Sequence, residues 1–189
     1  MKNNYGKIFP YNNLTAKIST DTFIAPGAII IGDVEIKSGS SIWYNCVIRG
    51  DVNFIRIGNN TNIQDLSMLH VTNKKYPLII DDNTTIGHAV KLHGCTIEEL
   101  TLIGIGAVVL DGAVVKKNSI VAAGSVVKPG FIVPENVLVA GVPARIIRNL
   151  SELEIEDLAL SANRYKQYSH ETIASLNKLE NEKTNIYKF

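Results

Sequence analysis

The sequence predicts a parallel β-helix of triangular coils closed by a C-terminal α-helix, and three observations predict it. From Ile18, aliphatic residues recur at every sixth position: Ile24, Ile30, Ile36, Ile42 and Ile48. Four residues after each inward candidate stands a small or β-branched one: Thr22, Ala28, Val34, Ser40, Cys46 and Val52. The stretch 151–180 then contains neither Gly nor Pro. A period of six fits neither the 3.6 of an α-helix nor the 2 of a strand. It fits a coil whose sides are each a short strand plus a corner, the signature of hexapeptide β-helices. A β-sandwich of many short strands would not hold so strict a phase.

Taken in order, residues 1–17 are polar, with Asn3-Asn4, Pro10 and Asn12-Asn13, and read as a lead-in that caps the first coil. The β-helix is assigned to 18–150. After Ile48 the phase skips three residues through Phe54 and resumes at Ile57, Ile63 and Leu69. A longer excursion from His70 to Leu78, containing Asn73-Lys74-Lys75-Tyr76-Pro77, is a loop. The repeat returns at Ile80, Ile86 and Leu92, drops one residue to Ile97, and runs on through Ile103, Val109, Val115, Val121, Val127, Val133 and Val139. Three sides of six residues give roughly eighteen per coil and about seven coils, with strands of successive coils ~4.8 Å apart. Gly141-Val142-Pro143 ends the repeat, and Ser151-Glu152-Leu153-Glu154 is a capping box opening a helix in the segment 151–189. That helix is long enough to run back along the coil and touch a neighbour, the alternative being two helices broken near Ser169-His170.

Composition narrows the function. The chain has 189 residues, 46% hydrophobic and 20% charged, with a formal net charge of +1. This is globular composition with no basic excess for nucleic acid. No apolar run approaches the ~20 residues of a membrane helix. Two cysteines, Cys46 and Cys95, make no disulfide framework, and the N-terminus lacks a secretory apolar run; a cytoplasmic protein is expected.

The six-residue phase also places the chemistry. If Ile48 begins side A, Ile57 begins B, Ile63 begins C, and Leu69 begins A again; Ile80, Ile86 and Leu92 repeat B, C and A. Arg49, His70 and His93 each follow the inward aliphatic of side A and stack in successive coils. His70 and His93 thus lie one strand spacing apart, close enough for both imidazoles to bind one ion at ~2.0–2.1 Å. Asp65 and His88, each two residues past the inward aliphatic of side C, also stack. His88 and His93 are separated by on the order of 15 Å of extended chain. A third ligand from His88 therefore requires side C of one subunit against side A of the next, as in a closed heterologous ring. Cys95 is read as a buried small-residue position and His170 as a surface residue.

Arg49-Gly50-Asp51, Asn62-Ile63-Gln64-Asp65, Leu69-His70, Ile86-Gly87-His88 and Leu92-His93-Gly94-Cys95 together resemble the γ-class carbonic anhydrase family. The resemblance is closest to its short bacterial members, also described as ferripyochelin-binding or carnitine- and phenylacetate-pathway hexapeptide proteins. It extends to Ala140-Gly141-Val142-Pro143-Ala144 and Ser161-Ala162-Asn163-Arg164-Tyr165. It implies a left-handed parallel β-helix and a homotrimer with Zn2+ at each subunit interface. His70 and His93 would come from one subunit and His88 from the next. Arg49 and Asp51 would form a pair crossing the interface, Gln64 would orient the metal-bound water, and Asp65 would join the same polar cluster. Tyr165 would stand near the metal, with Asn163 as the alternative. Fe2+ or Co2+ would suit a carboxylate-free set of three histidines as well. The implied reaction is reversible hydration of carbon dioxide to bicarbonate by metal-bound hydroxide.

Two features depart from the family pattern. Ala89-Val90-Lys91 follows His88 where the family shows small residues and an apolar one. The loop 71–77 carries Lys74-Lys75 and no carboxylate, whereas the best-known active members bear a glutamate there as proton shuttle. The alternatives are a hexapeptide acyltransferase acting on acyl-CoA with His88 or His93 as general base, a metal-dependent thioesterase, and a non-catalytic metal-binding homologue.

Overall fold

The computed structural model describes residues 3–186, of which 7–141 wind into a parallel β-solenoid. Side C is the clearest face. Phe23–Ile24, Ser41–Ile42, Asn62–Ile63, Thr85–Ile86, Leu102–Ile103, Ile120–Val121 and Val137–Gly141 pair in parallel, one strand from each of seven turns. Sides A and B form one twelve-stranded sheet, because Ile29–Ile36 and Val47–Ile57 each run across the corner between them. The sequence-derived registers are those observed: Ile48 opposite Leu69, Leu69 opposite Leu92, and Ile63 opposite Ile86.

The inward aliphatics from Ile24 to Val139 stack into one continuous core with essentially no solvent exposure. Burying one such Ile or Val stabilises by about 1.5–3 kcal/mol. Tight corners follow the strands, where the third residue past the inward aliphatic takes a left-handed backbone. Asn60, Asn83, Asn118 and Asn136 occupy one edge at φ between 50° and 61°. Asn tolerates that conformation better than most residues.

Two local features differ from the sequence expectation. The repeat assigns Val52 to a small interior corner, but it is exposed, and Ile55 lies opposite Val34 in its place. The three-residue skip therefore falls before Ile55 and pushes Asp51–Asn53 outward. The first coil also starts inside the lead-in. Lys7–Phe9 pairs in parallel with Ile29–Ile31, and Ile8 packs against the core.

At the other end, Ala144–Asn149 folds back antiparallel on Val137–Gly141. The capping box then opens a single helix, α1, Glu152–Ile186. Ser151 N–H donates to Glu154 Oε2 at 2.9 Å, and Glu154 N–H donates to Ser151 Oγ at 3.3 Å. Residues 187–189 of the expected helical segment lie outside the described residues. α1 runs back along side C over the strands at Thr85–Ile86, Asn62–Ile63, Ser41–Ile42 and Phe23–Ile24. Ile173 and Tyr165 pack there on Phe23, Ala25 and Trp43. Side C of the later coils is left uncovered. A groove of about 350 Å3 lies there, lined by Gln64, Thr85, Ile105, Ala122, Ala123 and Ser161 among others. Within the described residues, no helix is long and apolar enough to cross a membrane.

Candidate metal centre

His70 ends the strand Met68–His70 and His93 ends Lys91–His93, and the two are direct partners in the parallel ladder. Their rings meet edge-on, at an interplanar angle of 60°, with His70 Nδ1 3.1 Å from His93 Nε2. The other nitrogen of each ring meets a carboxylate. His70 Nε2 lies 3.0 Å from Asp51 Oδ1, and His93 Nδ1 lies 2.6 Å from Asp111 Oδ1. A carboxylate accepts only, so each of these outer nitrogens carries the proton. With both rings neutral, the two inner nitrogens would present lone pairs to one another at 3.1 Å. Such a pair requires a cation or a shared proton between them. Two nitrogens on one tetrahedral zinc, each ~2.05 Å from it, stand about 3.3 Å apart. The observed spacing fits that to within a few tenths of an ångström.

The carboxylates are themselves held. Arg49 Nη1 donates to Asp51 Oδ2, the Val52 N–H donates to Asp51 Oδ1 at 2.9 Å, and Thr72 Oγ1 donates to Asp111 Oδ2 at 2.8 Å. Burial pushes the Asp51 carboxyl up, but hydrogen bonds from His70 and Arg49 outweigh it and leave Asp51 below the usual carboxylate range. The same opposition, with His93 and Thr72 as the donors, leaves Asp111 below that range too. Both groups are thus ionised acceptors at neutral pH.

His88 stands apart, at the end of side C after Thr85–Ile86. Its Nδ1 lies 2.8 Å from Asp65 Oδ2, and the Ala89 N–H donates to the Asp65 carbonyl at 2.8 Å. Asp65 and His88 therefore stack in successive coils. Among the described residues, no three His, Cys, Asp or Glu side chains of one chain converge to hold a metal. The chain brings His70 and His93 together with Asp51, Arg49 and Asp111, and separately pairs His88 with Asp65. All three imidazoles share one pattern: a carboxylate on one nitrogen, which fixes tautomer and ring orientation as it does for ligating histidines.

The remaining sequence-derived candidates lie around His88 and the helix. Gln64 is buried, and its Nε2 donates to Asn62 Oδ1 at 3.1 Å. Asn62 donates to Thr85 Oγ1 at 3.0 Å, and Thr85 Oγ1 lies 3.3 Å from Ser161 Oγ on α1. Tyr165 is packed edge-on against Trp43, with ring centroids 5.6 Å apart. Burial raises its phenol pKa, and the neighbouring Asp65 charge adds to the rise. Asn163 accepts from Asn60 Nδ2 at 3.2 Å, at a corner of the coil. Cys95 is a core residue, and burial pushes its thiol well above the ordinary range. His170 is exposed.

The sequence reading does not single out Asp111 or Thr72. Asp111 is two residues past Val109, on side A of the coil after His93. Extending the coil assignment by one turn places it beside the histidines. Thr72 lies in the excursion 71–77, where the six-residue phase has no hold.

These features define a hexapeptide-repeat β-solenoid with carboxylate-oriented histidines on two faces. A family model described as bacterial transferase hexapeptide (six repeats) matches residues 15–50. Over 158 residues the chain is 46% identical to carbonic anhydrase of Geobacillus kaustophilus, covering 84% of this chain and 86% of that one. It is 45% identical over 168 residues to protein YrdA of Escherichia coli, covering 86% and 91%. Gamma carbonic anhydrase 1, mitochondrial, of Arabidopsis thaliana is 46% identical over 175 residues, or 88% of this chain. The chain spans 64% of that plant protein and 55% of gamma carbonic anhydrase 2, mitochondrial, from the same plant. Among solved structures, a hexapeptide transferase family protein from Anaplasma phagocytophilum superposes with a TM-score of 0.83 at 40% identity, covering 86% of this chain and 96% of that one. The chain belongs to the γ-class carbonic anhydrase family of hexapeptide-repeat proteins.

Proposed function

We propose that this protein is a metal-dependent lyase that interconverts carbon dioxide and bicarbonate, with a three-histidine centre completed between subunits of a homotrimer. The observation that carries the reading is the 3.1 Å approach of His70 Nδ1 and His93 Nε2, with a carboxylate behind each ring. His70 and His93 would be ligands from one subunit, and His88 would come from the neighbour's side C. Three neutral imidazoles leave a fourth position open, the pattern of a catalytic zinc site. When bound, the ion supplies Lewis acidity that makes a nucleophile from water near pH 7, a magnitude known from carbonic anhydrases themselves. Iron or cobalt would serve the same donor set.

The chain's own residues do the rest. Asp51, Asp111 and Asp65 hold the three rings with the ligating nitrogens unprotonated. Arg49 clamps Asp51. Gln64 is fixed by Asn62 at the edge of the groove beside His88, where its amide can orient the attacking water. Tyr165, close to Asp65 through the packing of α1, lies on the same side. The apolar walls of that groove suit a small uncharged substrate such as carbon dioxide. Cys46 and Cys95, both buried and free, fit a cytoplasmic setting. An acyltransferase needs one general base. Three carboxylate-paired imidazoles, two of them with ring nitrogens 3.1 Å apart, exceed that need and match ligation.

The test is carbon dioxide hydration by stopped flow on protein loaded with zinc, or anaerobically with iron or cobalt, with metal content measured on the same sample. His93→Ala is expected to lose both stoichiometric metal and turnover. Full metal retention in that variant, or no acceleration by any loaded form, overturns the reading. Acetyl transfer from acetyl-CoA that survives exhaustive chelation would replace it with the acyltransferase function.

A further inference from the structure

We propose that Asp111 is a positioning residue for the metal centre and that Thr72, in the excursion between sides A and B, locks it in place. The inference rests on the metal reading above and extends it to a carboxylate and a loop. Asp111 uses both oxygens: Oδ1 accepts from His93 Nδ1 at 2.6 Å, and Oδ2 accepts from Thr72 Oγ1 at 2.8 Å. Those two bonds determine which way the His93 ring faces and which nitrogen is left for the ion.

Thr72 is well placed to hold Asp111. Its backbone N–H donates to the Tyr76 carbonyl at 3.0 Å, closing the excursion into a tight turn. Its carbonyl accepts from Asn53 Nδ2 at 3.1 Å, and the Lys74 N–H donates to the Val52 carbonyl at 3.3 Å. The excursion is thereby tied to the segment that carries Asp51, the partner of the other histidine. Tyr76 lies over Gly94 and Gly112, the residues that follow His93 and Asp111. A Cβ on Gly94 would stand 2.7 Å from Tyr76 Cβ, and one on Gly112 would stand 3.0 Å from its ring. The Gly112 N–H also donates to the Gly94 carbonyl at 2.7 Å. Backbone, ring and hydroxyl therefore fix Asp111 from three directions. In this chain the lysine-bearing loop holds a ligand's orientation.

The experiment compares the parent with Asp111→Ala, Thr72→Val, Thr72→Ser and His93→Ala. Zinc dissociation constants are measured by competition with a chelating indicator. The visible spectrum of the cobalt-loaded protein reports ligand geometry. Thermal unfolding of each metal-free protein reports the fold. Loss of a carboxylate behind a ligating histidine typically weakens metal binding ~10–100-fold, and that is expected for Asp111→Ala, with a shifted cobalt band. Thr72→Val is expected to weaken zinc several-fold at unchanged metal-free stability, and Thr72→Ser to restore it. Zinc affinity within about two-fold of the parent in both Asp111→Ala and Thr72→Val overturns the proposal. Should Asp111→Ala fail to fold, the Thr72 pair decides alone: Val weaker with Ser restored supports it, and Val equal to the parent refutes it. Full metal retention in His93→Ala overturns the metal centre itself. Metal loss there alongside unaffected Asp111 and Thr72 variants overturns only the positioning role.

Discussion

Replacing Gly94 with alanine puts a methyl group where no atom fits, beside the carboxylate that orients His93. Gly94 has φ +54°, and an added Cβ would lie 2.5 Å from Asp111 Oδ1 and 2.7 Å from Tyr76 Cβ. The left-handed backbone alone costs an alanine about 1–2 kcal/mol. Ala89, at φ 56° on the preceding corner, shows that this coil accepts that cost. The contact is the larger problem. Ordinary van der Waals separation is ~3.5–4.0 Å, so Asp111 Oδ1 and Tyr76 must each retreat by about 1 Å. A retreat of that size directed away from His93 stretches the 2.6 Å bond to at most about 3.6 Å, beyond hydrogen-bonding range. Overpacking of this kind costs about 1–3 kcal/mol, for a total of about 2–5 kcal/mol. In a chain of this length, that lowers Tm by about 4–20 °C. The assay is thermal unfolding of metal-free protein at fixed chain concentration, followed by zinc titration of the folded sample. Gly106→Ala is the control: its φ is +68° and nothing lies within 4 Å of the added Cβ, so only the backbone cost applies. Equal Tm values for the two variants, with parental zinc affinity in Gly94→Ala, would refute the reasoning.

Three other perturbations probe separate parts of the molecule. Ile63→Ala removes a fully buried rung between Ile42 and Ile86 and is expected to cost about 2–5 kcal/mol in denaturant unfolding; a loss under ~1 kcal/mol would mean the ladder relaxes freely. Ile173→Asp should lift α1 from Phe23 and Trp43, read as a red shift of Trp43 emission with the solenoid's strand signal retained; unchanged emission would place the helix's hold elsewhere. The Arg148 guanidinium, aided by Ser151, holds the Glu154 carboxyl at about 2, below its unfolded value of ~4.3. Its contribution to the helix start is therefore complete above the unfolded value and is lost as pH falls through about 2. Far-UV circular dichroism should show part of the parent's helical signal fading in that window, and Glu154→Gln should lack that step; identical acid profiles would refute the assignment.

The six-residue phase made most of the architecture legible because each inward residue is repeated by the one a coil away. Ile48, Leu69 and Leu92, and likewise Ile63 and Ile86, fall into register from counting alone. The same counting placed His70 beside His93 and Asp65 beneath His88. It failed where the chain leaves the coil or where a side chain reaches sideways. Val52 lost its expected place to Ile55 because a three-residue skip has no preferred point until the backbone bonds of Val34 choose one. The lead-in gave no warning that Lys7–Phe9 pairs with Ile29–Ile31, since only Ile8 in that strand faces the core.

The same limit explains why the carboxylates were the least legible part of the site. A histidine's partner is chosen by side-chain reach across strands, and the three partners reach in three different ways. Asp65 acts from the coil before His88, at the same offset from the inward aliphatic. Asp51 acts on His70 from an outward bulge created by the skip. Asp111 acts on His93 from the coil after it. Only the first relation repeats the offset; the third needs the coil count carried one turn further, and the second has no counterpart in the phase. Yet all three put a carboxylate on one ring nitrogen and leave the other for a further partner. This shared arrangement, on two faces of the solenoid, is what the metal reading rests on. One chain holds two imidazole nitrogens 3.1 Å apart on side A and a third histidine on side C, and among the described residues the three do not converge within that chain. Under the metal reading, oligomer and ion are thus thermodynamically linked, since anything bound only by the assembled form stabilises it by mass action. Chelation is expected to shift the protein from trimer toward monomer on dilution, measured by sedimentation, and added zinc to reverse the shift. A metal-free chain that stays trimeric at every concentration would separate assembly from the ion. A monomer retaining zinc at full affinity would place all the ligands in one chain and refute the intersubunit site.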